Sequence, residues 1–291
     1  MQPRIYRFDG SQRCDLEKLD TSVEKDRERK ERCLTQTREN LAKMAQVQDA
    51  LFADGREGLI VVLQAMDAAG KDSIIKHVMT GLNPQGVVVH SFKQPSKEEL
   101  SHDYLWRVNR CLPARGSIAI FNRSYYEDVV AVQIHDLQKA YKMAPRILND
   151  KKEEFYKKRY GQIRSFEEYL YNNSYRVVKI YLHISKEKQK ERFLERINVP
   201  AKNWKFSTDD LRDRARFDEY QSLYSQVINE TATEHSPWYV VPADRKWYAR
   251  FLVSQIVLSE MENCCHTYPE LAPEIKASLD DCRTLLEREE D

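Results

Sequence analysis

The sequence predicts an α/β fold: a three-layer α/β/α sandwich on a five-stranded parallel sheet, of the phosphate-loop kind, with a helical lid. Short β-branched runs alternate with longer helical patterns along most of the chain, as expected of parallel strands covered on both faces. One run, Leu59-Ile60-Val61-Val62-Leu63, passes through a small-residue turn to Gly70-Lys71 and then a helical pattern, the layout of a phosphate-binding loop. Two charged helical patterns joined by a basic, aromatic-bearing loop over 185–216 read as a lid.

Residues 1–20 are mixed and read as irregular. A long helix is expected from Thr21, where Thr21-Ser22-Val23-Glu24 has capping-box spacing. Leu34, Leu41, Met44 and Leu51 form its narrow apolar stripe, and Gly55 suits its end. Such a stripe packs by default within the chain, a second copy being the alternative. After the first strand and its helix (Ile74, Ile75, Val78, Met79), a second strand is expected over 87–92. A helix from Ser96 follows, with Leu100, Tyr104, Leu105 and Val108 inward. Pro113 and Gly116 break the chain before a third strand, 117–121. Residues 129–173 read as helical and charged, 177–184 as a fourth strand, and 238–241 as a fifth. Ser185 caps a lid helix that Pro200 cannot continue, and a second lid helix starts near 207–210. A closing helix points Trp247, Phe251, Val253, Ile256, Val257 and Met261 inward. One domain thus spans 21–262, and 263–291 is a peripheral charged tail.

The phosphate loop explains itself physically. Unpaired amides at the turn and helix start converge on one spot, and the helix dipole adds partial positive charge. Lys71 supplies a full charge. The strict pattern has glycine where Ala65 stands and Ser or Thr where Asp72 stands, with Ser73 one place later. Asp67 puts a carboxylate inside the loop, which a bound polyphosphate tolerates only with a cation between them. Asp67 therefore reads as a magnesium-linked group or as the one that positions the attacking oxygen. A solvated turn aspartate is the bland alternative. The third strand runs into Asn122-Arg123-Ser124-Tyr125-Tyr126-Glu127-Asp128, and the end of a neighbouring parallel strand faces such a loop. Arg123 can grip phosphate oxygens there in bidentate fashion. In the lid, Lys188, Arg192 and Arg196 recur every fourth residue and share a face, while Glu187, Glu191, Glu195, Asp209 and Asp213 could neutralise much of that charge.

Composition narrows the class. A chain of 291 residues, 41% hydrophobic, supports one α/β domain with a good core. A net charge of +1 gives no global attraction to nucleic acid or membrane, so any polyanion site comes from local clustering. Cysteines at 14, 33, 111, 264, 265 and 282 include no CxxC pair and read as reduced cytosolic thiols. Seven histidines show no metal-ligand spacing. The opening MQPRIYRFDG lacks a signal-peptide core, and the apolar runs are too short to span a bilayer, so a cytoplasmic protein without membrane partners is expected.

With these clusters in place the chain resembles the polyphosphate kinase 2 family. The resemblance runs from about 20 to 262. It is carried by Met66-Asp67-Ala68-Ala69-Gly70-Lys71-Asp72, by the segment from Phe121 to Asp128, by Lys202-Asn203-Trp204-Lys205-Phe206-Ser207, and by Pro237-Trp238-Tyr239. The Tyr125-Tyr126-Glu127-Asp128 version is most similar to the subgroup that phosphorylates nucleoside mono- and diphosphates. Some members carry Asp where Asn122 stands. The resemblance implies inorganic polyphosphate as donor, AMP or ADP as acceptor, ADP or ATP as product, and reversible direct transfer with magnesium, or manganese in its place.

On that footing, Asp67, Lys71, Arg123, Arg192 and Arg196 are the candidate catalytic residues. Ala68, Ala69, Gly70, Lys71, Asp72 and Ser73 would hold phosphate, with Lys202, Lys205 and Arg212 along the polymer. Lys93, Asn122, Arg123, Tyr126 and Glu127 fall on the nucleotide side, with Asp67 and Glu127 toward the metal. A homodimer or tetramer is expected. An acceptor phosphate is already ionised at neutral pH, so no strong base is required. A conventional ATP-dependent nucleotide kinase would share this architecture, and a nucleotide-sensing scaffold with a dead site would bind without turnover.

Overall fold

The computed structural model describes residues 6–264 and 267–289. Cys265 and residues 1–5 of the expected N-terminal segment lie outside them, as do 266, 290 and 291 of the expected tail. The strands are β1 (Tyr6–Phe8), β2 (Gly58–Gln64), β3 (Val87–Ser91), β4 (Ile118–Asn122), β5 (Tyr175–His183) and β6 (Trp238–Pro242). The longer helices are α1 (Arg27–Asp54), α2 (Lys71–Val78), α6 (Lys152–Asn172), α7 (Lys186–Asn198), α8 (Asp209–Ala215), α9 (Phe217–Thr231), α10 (Lys246–Asn263) and α11 (Pro273–Glu287). Single turns form α3 (Trp106–Asn109), α4 (Ala131–Ile134) and α5 (Pro145–Leu148).

The sheet has six strands in the order β1-β6-β5-β2-β4-β3. Five are parallel, as the sequence predicts, and β1 adds an antiparallel edge with Tyr6 opposite Val240. The N-terminus is therefore not wholly irregular: besides β1, Leu16–Lys18 forms a 3-10 turn. Central β2 is buried at every residue. Its period of two divides the core: Ile60 and Val62 face α6 and α9, while Leu59, Val61 and Leu63 face α1, α2 and α10. A parallel pair on each side fixes the end of β2, which places the loop after it in the crevice beyond the strands' C-terminal ends.

Two expected helices differ from the sequence reading. Helix α1 begins at Arg27, not Thr21, with the Asp26 side chain accepting from the Arg29 amide. Thr21 does not cap it: its hydroxyl donates to Asp244 at 2.9 Å, tying the chain to the β6–α10 turn. Gly55 ends α1 in the left-handed region, as expected. The stripe packs within the chain, with Asn40 Nδ2 donating to Ser254 Oγ of α10, although Leu34 is exposed. The helix expected from Ser96 is broken. Ser96 and Glu99 do cap each other, but only a 3-10 turn at Glu99–Ser101 and α3 follow, and Leu100 is exposed. In α7, Phe193 is buried whereas Ile197, four residues on, is exposed. Among the described residues no helix is long and apolar enough to cross a membrane.

Candidate active site

The loop from Ala65 to Gly70 is wound around Lys71. Lys71 is buried, and its Nζ donates to Ala65 O at 2.8 Å. Gly70 stands before α2 at φ +115°, a conformation that glycine adopts without a Cβ clash. Helix α7 grips the loop from below. Arg192 Nη1 donates to Ala68 O and Ala69 O at 2.9 and 2.6 Å, and Nη2 to Ala243 O and Asp244 O at 2.7 and 3.2 Å. Gln189 Nε2 donates to Asp67 O at 3.1 Å. With these carbonyls held, the first-turn amides of α2, which have no partner within the helix, face the crevice.

Arg123 stands where β4 ends. Its backbone lies in the left-handed region at φ +61°, which costs about 1–2 kcal/mol for a residue with a Cβ. Its amide donates to Leu63 O, and its Nη2 meets Asp67 Oδ1 at 2.8 Å. Lys71 Nζ lies 4.0 Å from the same oxygen. A strained backbone held by an ion pair is a sign of preorganisation. Burial opposes the charge on Asp67, but Lys71 and Arg123 outweigh it and hold its pKa below the ordinary carboxylate range. Burial pushes the Lys71 ammonium down, and Asp67 pulls it back up. Glu127 and Asp67 hold Arg123 firmly charged. Burial also opposes the Asp72 charge, but Lys205 at 3.0 Å and Asn122 at 3.2 Å keep it ionised.

These groups line a cavity of about 630 Å³ that takes in Asp67, Gly70, Lys71, Arg123, Lys202 and Lys205. A second cavity of about 510 Å³ adjoins it, bordered by Tyr104, Glu127, Asp128 and Arg159. Phe92, Lys93 and Arg123 line both.

Several expected site residues sit elsewhere or act otherwise. Tyr126 is fully buried with its hydroxyl on Glu167 at 2.8 Å, so it belongs to the core and not to a nucleotide surface. Asn122 lines the phosphate cavity, not the adjoining one. Arg192 has both terminal nitrogens engaged on backbone carbonyls, so it shapes the loop rather than reaching for phosphate. Arg196 does line the phosphate cavity, donating to Lys205 O and meeting Asp210, each at 3.1 Å. Arg212 pairs with Asp209 and lines neither cavity. Lys202 pairs with Glu195.

For a metal, the described residues contain no group of three Asp, Glu, His or Cys that could hold an ion. Asp67 offers one carboxylate in the phosphate cavity and Glu127 another in the adjoining one. That sparse set fits a magnesium-type ion, which binds through one or two carboxylates and takes its other ligands from phosphates and water.

The family model described as polyphosphate kinase 2 matches residues 24–268. The chain belongs to the polyphosphate kinase 2 family. It is 44% identical over 279 residues to the ADP-polyphosphate phosphotransferase of Rhodopseudomonas palustris, covering 96% of each chain. It is 43% identical over 228 residues to the AMP/ADP-polyphosphate phosphotransferase of Meiothermus ruber, covering 78% of this chain and 80% of that one. The crystal structure of polyphosphate kinase 2 from Arthrobacter aurescens TC1 superposes with a TM-score of 0.81 at 35% identity, covering 94% of this chain and 93% of that one. The fold expected of a polyphosphate kinase 2 is thus present, with the extra strand β1.

Sequence reasoning missed three residues of this polyphosphate kinase 2 site. Arg250 donates to Ser73 Oγ at 2.9 Å from α10, a helix read only for its apolar face. Gln189 was passed over beside the charged Lys188. Lys246 lines the phosphate cavity from the start of α10, and only its position after Asp244 at a strand end signalled it.

Proposed function

We propose that this chain transfers a phosphoryl group from inorganic polyphosphate to AMP and to ADP, reversibly and without a covalent intermediate. The observation that carries the reading is that two cavities meet at Arg123, one rich in cations and amides, the other flanked by tyrosines and carboxylates. The first suits a phosphate donor and the second an acceptor nucleotide. Lys71 and the α2 amides hold donor phosphates, and Arg123 spans donor and acceptor at the transferring group. Lys202, Lys205 and Arg196 close over the donor from the lid. Lys93 and Glu127 orient the acceptor. Magnesium, or manganese, would be held by Asp67 with Glu127 nearby, and supplies charge neutralisation between phosphates when bound. The relatives from Rhodopseudomonas palustris and Meiothermus ruber, by their names, support the donor and the acceptors.

The test is a coupled ATP assay with magnesium and long-chain polyphosphate, offering AMP, then ADP, with no other donor. ATP from both acceptors is expected. ATP from ADP alone narrows the acceptor, and no product without ATP as donor rejects the reading.

A further inference from the structure

A third cavity, of about 670 Å³, opens on the far side of Arg192, between the first turn of α1, one face of α7 and the start of α10. It shares Arg192, Glu195 and Lys246 with the phosphate cavity, so the two adjoin. Seven of its lining residues are Lys or Arg and four are Asp or Glu. The acids are already engaged. Asp26 caps α1, Asp244 accepts from Thr21 and Ser185, Glu191 pairs with Lys188, and Glu195 pairs with Lys202. Arg27 pairs with Glu31, Lys188 with Glu191, and Arg192 is held on carbonyls, but the other four cations are less engaged. Lys25 and Lys30 are exposed and have no ion pair among the described residues. Arg245 has a buried Nε without a hydrogen-bond partner. Lys246 approaches Glu195 only at 4.0 Å. Trp247 is the lone aromatic in the lining.

A nucleoside needs an apolar or aromatic cleft; this wall instead offers uncompensated positive charge leading away from the phosphate loop. We infer that the cavity carries the distal phosphates of a linear polyanion, and that Lys25 and Lys30 at the entry to α1 make the enzyme selective for polymer length. Chains long enough to pass Lys246 reach Lys25 and Lys30 and bind more tightly; chains that end at the loop do not. This rests on polyphosphate being the donor. It locates the length dependence at the entry to a helix that contributes nothing to the loop itself.

The experiment compares KM for tripolyphosphate and for long-chain polyphosphate, with ADP as acceptor, in the wild type and in Lys25→Glu/Lys30→Glu. Both side chains are exposed, Lys25 just before α1 and Lys30 near its start, so the folded state is checked by an unchanged thermal midpoint. The wild type is expected to favour the long chain. The variant should raise KM for the long chain by at least about tenfold and for tripolyphosphate by less than about twofold. Raising ionic strength should erase the wild-type advantage in the same selective way. An equal change for both donors, or none, overturns the inference and leaves the donor assignment standing. A wild type that uses polyphosphate of no length overturns both. A variant whose ATP KM rises in the reverse reaction as much as its long-chain KM puts the base of a nucleotide in this cavity and overturns the inference alone.

Discussion

At the scale of single residues, the site depends on a few charges held away from water. Lys71 is buried, with its ammonium held on Ala65 O at the start of the loop. Lys71→Ala should lower kcat by at least about 10²-fold with the fold intact, since a preorganised charge on the transition state is worth roughly 3 kcal/mol; steady-state kinetics beside circular dichroism checks it. Asp67→Asn should lower kcat far more than it weakens polymer binding, because its carboxylate offers a polyanion no attraction of its own and instead orders Arg123 and Lys71 at the cavity. Isothermal titration with polyphosphate separates the two effects. Arg192→Lys tests the clamp. One ammonium cannot span four carbonyls on two loops, so at least two charge-assisted bonds are lost. Denaturant unfolding should show about 2–4 kcal/mol less stability. The sequence made Lys71, Asp67 and Arg123 legible because strand, turn and helix force their positions. It could not separate Arg192 from Arg196, one helical turn apart, because only the packed structure sets one under the loop and the other against Lys205 and Asp210. Tyr126 was misread for a similar reason: it sits inside a polar motif, yet its ring packs on Trp238 at 4.7 Å.

At the scale of elements, the segment after β4 stands on a buried polar cluster. Glu167 of α6 accepts from Tyr125, Tyr126, Ser236 and Lys179, the last at 2.6 Å, and neither Glu167 nor Lys179 is solvent-exposed. Lys179 projects from β5 and also donates to Thr231 O. Lys179→Ala leaves a buried carboxylate with only neutral donors. It should cost about 3 kcal/mol, and replacing both partners with apolar residues should cost less. A double-mutant cycle in urea measures the difference. This pair was illegible beforehand, because a lysine amid β5's apolar residues looks like a strand's solvent-facing position. Strand β1 was illegible too: three residues carry too little period, and its partner is remote in the chain. The start of α1 was misjudged because Thr21 finds a better partner in Asp244 than in its own helix.

For the whole molecule, the parallel sheet, its helical layers and the crevice were readable, since hydrophobic period and turn residues decide them locally. Every residue of α11 is exposed, although Cys264, at the start of the segment read as a peripheral tail, is buried. A chain ending at residue 268 should therefore keep its thermal midpoint within about 1 °C, as surface changes seldom exceed 0.5 kcal/mol. The cysteines offer a second whole-molecule measurement. Burial pushes the Cys14 thiol up to about 12, from an ordinary value of 9.0, while Cys282 is exposed. At pH 8 an alkylating reagent should modify Cys282 and spare Cys14 until the protein unfolds. The sign for stability follows: a thiol with a raised folded pKa contributes fully below pH 9, and that contribution is lost as pH climbs toward 12. Finally, Tyr6 pairs with Val240, so the first strand of the sheet closes on its last. A ribosome making roughly 5–20 residues per second needs on the order of 10–50 s to deliver β6 after β1 has emerged. Throughout that interval the nascent N-terminus has no place in the sheet, and its docking can only follow release of most of the chain.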